Sequence, residues 1–77
     1  MRRDSYLSIS ILSLTIMLGK FNTDTITYKM AQKFFTKSYK IKKRIQNYPS
    51  TTNKDKCLHL ISELHSKIHS FFYDYDD

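Results

Sequence analysis

Residues 31–48, AQKFFTKSYKIKKRIQNY, and residues 57–75, CLHLISELHSKIHSFFYDY, decide the fold. In the first stretch Ala31, Phe34, Ser38, Ile41, Ile45 and Tyr48 step by three and four, and in the second Cys57, Ile61, Leu64, Ile68, Phe71 and Tyr75 do the same. That spacing holds each set on one face of an α-helix, where side chains three and four apart stack above one another. Pro49, the chain's one proline, separates the two stretches. The stripes predict two helices that zip together as an antiparallel hairpin or against a second copy.

A third helix is expected on the N-terminal side. Residues 5–18, SYLSISILSLTIML, interleave apolar side chains with hydroxyls, with Asp4 or Ser5 as a cap and Gly19 as the stop. Leu7, Ile11, Leu14 and Leu18 share one helical face, and Ile9, Leu12 and Ile16 share the opposite one, so as a helix the segment should be buried on two sides. The Ser/Ile alternation from Leu7 to Ile11 also permits a short strand. The second helix is expected from about Asp24, capped by Asn22, Thr23 or Asp24, and it stops at Asn47-Tyr48-Pro49 because proline restricts the residue before it. The third follows Ser50-Thr51-Thr52-Asn53, with Thr52 and Asp55 spaced as a capping box. It should fray near Tyr73, where Asp74, Asp76 and Asp77 oppose the negative end of the helix dipole. The freed acidic tail would then rest on lysines or remain loose. The expected fold is all-α, one domain over residues 1–77, with helices at about 5–18, 24–47 and 53–72 and a tail at 73–77.

Size and charge bound the function. A core drawn from 77 residues supplies no more than about 3–5 kcal/mol unaided, so a dimeric bundle joined through Ile41, Ile45, Ile61, Leu64 and Ile68 is expected. Thirteen Lys and Arg against seven Asp and Glu leave a formal charge of +6, which suits an anionic partner: nucleic acid, an acidic protein or a lipid head-group surface. The lone cysteine, Cys57, rules out an internal disulfide, and its place on the stripe marks a small core residue in a reducing, cytoplasmic setting. Met1-Arg2-Arg3 ahead of an apolar run imitates a secretion signal, but Asp4 interrupts the basic region and Met17-Leu18-Gly19 is a poor cleavage site. The run is also shorter than the ~18 residues that span a bilayer. A membrane is therefore not expected as a partner, and a secreted or membrane-associated chain acting through residues 5–18 is the minor alternative.

The strongest functional pattern lies on the second helix. Lys29, Lys33, Lys40 and Lys43 fall on one flank, Lys37 and Arg44 border the apolar face, and Tyr28, Phe35 and Tyr39 line the other flank. Lysines beside aromatics suit a DNA or RNA backbone and an unstacked base. No helix-turn-helix, zinc-finger or aromatic RNA-recognition motif is present, so base-specific readout is not expected. His65 and His69 are four apart, but neither His59 nor Glu63 completes a tetrahedral site, so no metal and no cofactor are expected. No nucleophile, base and orienting group assemble from these residues, and an enzyme is not expected.

Asn53-Lys54 followed by Leu58, Leu60-Ile61 and Leu64 resembles the central helix of the YmgB/AriR group of small enterobacterial regulators, and Tyr73 with Asp76-Asp77 is similar to that group's C-terminal ending. The distance between the two patches is too short for the further helix of that group, and the apolar N-terminal segment has no counterpart in it. The resemblance implies a cytoplasmic all-α homodimer linked to biofilm and acid-stress regulation, acting on DNA or on a regulatory protein. Met30-Ala31 and Cys57 are also placed as in the Rop type of plasmid RNA-binding hairpin, which implies an antiparallel dimeric bundle whose basic faces hold RNA. The competing class is a protein-interaction part, such as a secretion chaperone, an immunity protein or an inhibitor. In that class an apolar helix face is the interface with another helical protein.

Overall fold

A computed structural model describes residues 3–76, with side chains through Asp74. Three helices follow one another: α1 (Arg3–Lys20), α2 (Tyr28–Ile45) and α3 (Thr52–Asp76). They pack into a rod of 41 × 18 × 17 Å, with both α1 and α2 laid against α3. The expected all-α architecture is what the chain adopts, and the Ser/Ile alternation near the N-terminus is helical rather than extended.

The core is one stripe from each helix. Leu7, Leu14 and Met17 of α1, Ala31, Phe34 and Ile45 of α2, and Cys57, Ile61, Leu64 and Ile68 of α3 are buried, with Ile41, Tyr48 and Phe71 half-buried around them. The Tyr75 side chain lies outside the described residues. The stripe expected to form an intermolecular seam is thus closed within a single chain. Ile45, Leu64 and Ile68 have no exposed surface left, because α1 covers what a second copy was expected to cover. Cys57 is fully buried, its thiol donates to the Leu7 carbonyl at 3.5 Å, and burial pushes its pKa up. It is a core residue, as its place on the stripe suggests.

The two-sided burial of α1 is not observed. Ile9, Leu12 and Ile16 remain 52 %, 64 % and 54 % exposed. A helix at the surface of a three-helix rod meets its neighbours along one stripe, and among the described residues no further element covers the other side. Gly19 does not stop α1; it sits inside it, without positive φ, and a Cβ there would meet nothing within 4 Å.

The helix ends differ from expectation for local reasons. Asn22 does not cap α2: its Oδ1 accepts from the Asp24 N–H at 2.9 Å, and its carbonyl accepts from Thr25 and Ile26. This is an Asx turn, and it delivers Phe21 and Ile26 into the core. The cap is Thr27, extended at φ −92° and ψ 158°, whose side chain accepts from the Met30 N–H at 3.1 Å. Likewise Thr51 rather than Thr52 caps α3, accepting from the Lys54 N–H at 3.1 Å, which leaves the Thr52–Asp55 pairing unused.

Between α2 and α3, the Lys54 ammonium donates to the Tyr48 carbonyl at 2.6 Å and the Gln46 carbonyl at 3.2 Å. It satisfies acceptors that the ending helix leaves open. At its far end α3 does not fray at Tyr73 but continues to Asp76. Phe71 meets Phe21 edge-on at 6.2 Å and Phe72 lies 4.9 Å from Tyr28. Two half-buried aromatic anchors outweigh carboxylates that cost about 0.3–1 kcal/mol each against the dipole. Asp77 lies outside the described residues.

Candidate nucleic-acid interface

The orientation of α2 is set by what it buries. Ala31, Phe34, Ser38 and Ile45 point inward, so Lys29, Lys33, Lys40 and Lys43 must lie on the far side of the helix, and all four are exposed. At 1.5 Å per residue they line an edge of about 20 Å. The helix carries Lys29, Lys33, Lys37, Lys40, Lys42, Lys43 and Arg44 and no Asp or Glu, so it holds seven of the chain's 13 cationic side chains and none of its seven acids. Among the described residues no Lys or Arg of α2 forms an ion pair. Lys42, Lys43 and Arg44 sit in the last turn, where the helix dipole favours them.

The six cations expected to act together divide into two groups. Lys29, Lys33, Lys37, Lys40 and Lys43 project into solvent, with Lys43 Nζ 5.9 Å from the centre of the Tyr39 ring. Arg44 turns toward α1 and lies 4.1 Å over the ring of Tyr6. Tyr6 in turn meets Tyr48 edge-on at 6.2 Å, and the Arg3 guanidinium is 5.5 Å from the Tyr48 ring. This cation–aromatic stack ties the start of α1 to the end of α2. Arg44 is therefore part of the fold as well as of the basic surface. Beside it Arg3, Asp4, Leu7, Tyr48, Pro49 and Thr51 line an open cleft of about 290 Å³.

The aromatic flank departs further from expectation. Phe35 is half-buried between Tyr39, stacked at 6.1 Å and 14°, and His65, at 4.9 Å and 32°. Tyr28 turns to Phe72. Of the three rings expected to receive a base, Phe35 has its faces taken and Tyr28 packs on α3, because an aromatic flank beside a buried stripe is drawn to the neighbouring helix. Tyr39, 46 % exposed, is the one of these three rings that faces solvent most fully.

One pairing escaped sequence reasoning. His65 does not stand free with His69: its Nε2 lies 2.7 Å from Ser38 Oγ, which also donates to the Phe35 carbonyl at 3.0 Å. Ser38 is fully buried, and a buried hydroxyl needs a partner. A polar residue on an otherwise apolar stripe was the signal for it. With the hydroxyl proton committed to the Phe35 carbonyl, His65 Nε2–H is the donor to Ser38. Burial first, then the positive charges of Lys42 and His69, hold the His65 pKa below the usual histidine value. The described residues contain no group of three metal-ligating side chains.

Among the described residues no helix is long and apolar enough to cross a membrane. The chain matches no protein-family model, no curated protein and no solved structure.

Proposed function

We propose that this chain is a small basic binding module that holds the phosphate backbone of a nucleic acid along α2. The observation that carries the reading is the segregation of charge: seven cations and no acid on one 18-residue helix, without an ion pair among the described residues. Phosphate contact of this kind asks for clustered positive charge and no base-edge geometry. The loss of Phe35 and Tyr28 to packing favours a backbone contact over a base-stacking platform. A regulatory role of the kind implied by the resemblance to small enterobacterial regulators is compatible with a module of this size.

The test is the salt dependence of binding to mixed-sequence DNA and RNA. Four lysines on phosphates give a logarithmic salt slope of about −4 on duplex DNA, and Lys33→Gln with Lys40→Gln should bring it to about −2 with no change in sequence preference. Both side chains are exposed, so helicity should be unchanged. Absence of binding at low salt, or an unaltered slope in the double variant, overturns the reading and leaves the lysines as solubilising charge.

A further inference from the structure

Outside α1 every leucine and isoleucine is buried or half-buried, whereas Ile9, Leu12 and Ile16 stand in solvent together. With Ser5 and Gly19 they form the series Ser5, Ile9, Leu12, Ile16, Gly19, spaced four, three, four and three. That is a heptad seam on the side of α1 opposite Leu7, Ser10, Leu14 and Met17. α1 thus carries two seams, and its own chain fills one.

The register of the outer seam points to its occupant. It places the β-branched Ile9 and Ile16 at a and Leu12 at d, the combination that parallel two-stranded coiled coils favour. The positions beside the seam are Tyr6, Ser8, Ser13, Thr15 and Lys20, and no charged residue occurs from Ser5 to Gly19. Charge narrows the choice further. Two copies of a chain carrying +6 repel across α2, while along Ser5–Gly19 of α1 they meet without opposing like charges.

We propose that the outer face of α1 is a self-association seam on which a second copy docks its own α1 in parallel. Ile9 meets Ile9, Leu12 meets Leu12 and Ile16 meets Ile16 about a two-fold axis, the self-complementary arrangement of an isologous dimer. Three apolar layers make an interface below the ~1,200 Å² of standard complexes, so the dimer is weak, dissociating at about micromolar concentration or above. Its salt response is opposite to that of phosphate binding. Screening the mutual repulsion of the two basic chains tightens the dimer, whereas salt loosens a nucleic-acid complex. The seam does not depend on the nucleic-acid reading, and the two stand or fall by different measurements.

The experiment is sedimentation equilibrium of the full chain from about 1 μM to 1 mM, a span that brackets weak dimers, with helicity followed by circular dichroism. The wild type should pass from monomer to dimer mass, at lower concentration as salt is raised. Leu12→Lys and Ile16→Lys should remain monomeric throughout with unchanged helicity. Ser5→Cys should form a covalent dimer on mild oxidation, since d positions adjoin in a parallel pair. A wild type that is monomeric at every concentration, a lysine variant that dimerises like the wild type, or a dimer that Ser5→Cys fails to cross-link overturns the proposal. So does a chain that is monomeric in solution yet binds phosphatidylserine/phosphatidylcholine vesicles in a Leu12-dependent way, which gives the face to a lipid surface instead.

Discussion

α1 and α2 are each 18 residues long, and each gives its inner stripe to α3, yet their outer faces share almost nothing. α2 turns lysines outward at every turn. From Ser5 to Gly19, α1 turns outward only isoleucine, leucine, glycine and hydroxyl side chains. The core does not require this contrast, because any polar residue at these exposed positions would leave the inner stripes intact. Two faces released from the demands of folding carry opposite chemistries, and each is suited to a different contact.

Breaking the face that both helices share should have the largest effect. Ile61 is 2 % exposed, and Ile61→Asp loses about 1.5–3 kcal/mol of burial while adding an unpaired carboxylate that costs several more. The expected outcome is an unfolded chain by circular dichroism. Retention of native helicity and melting temperature would sink the proposed core.

The burial of His65 beside Lys42 and His69 should make the fold sensitive to acid. The folded-state pKa of His65 lies below its unfolded value, so the unfolded state takes up the proton first and stability falls as pH drops. The loss should begin as pH falls through the usual histidine value and level off once pH is below the folded value. Melting temperatures from pH 7.5 down to about 4.5 should show the fall in the wild type and a smaller one in His65→Gln, which keeps a donor for Ser38.

A smaller effect separates Arg44 from the lysines around it. If its stack on Tyr6 contributes as exposed cation–π pairs do, Arg44→Ala should lower stability by about 0.5–1 kcal/mol. Lys40→Ala, exposed and without an ion pair, should change it by less than about 0.5 kcal/mol. Equal effects in chemical denaturation would place Arg44 with the free cations. A change of similar size and opposite sign lies on the other face. Gly19 has helical backbone and open space around it, so Gly19→Ala should stabilise the chain by about 0.5–1 kcal/mol, read as a higher denaturation midpoint.

Cys57 tests the common interior without altering it. Its thiol has no exposed surface and a raised pKa, so a polar thiol reagent at neutral pH should label it only as the chain opens. Rapid labelling of the native protein contradicts that placement.

Period and punctuation in the sequence determined three helices, the inner stripes of α2 and α3, the break at Pro49 and the lysine edge. These follow from local geometry, which ties residues three and four apart to one face whatever the neighbours are. Tertiary structure alone decided which apolar face of α1 is covered, since both have helical spacing and only the packing of a third helix chooses between them. It also decided that Phe35 and Tyr28 face α3, that Arg44 leaves the lysine edge for Tyr6, that Phe71 and Phe72 hold the end of α3, and that Ser38 finds His65 27 residues away. Each is a contact between residues distant in sequence. Its energy comes from desolvation and from partners that a local pattern does not contain.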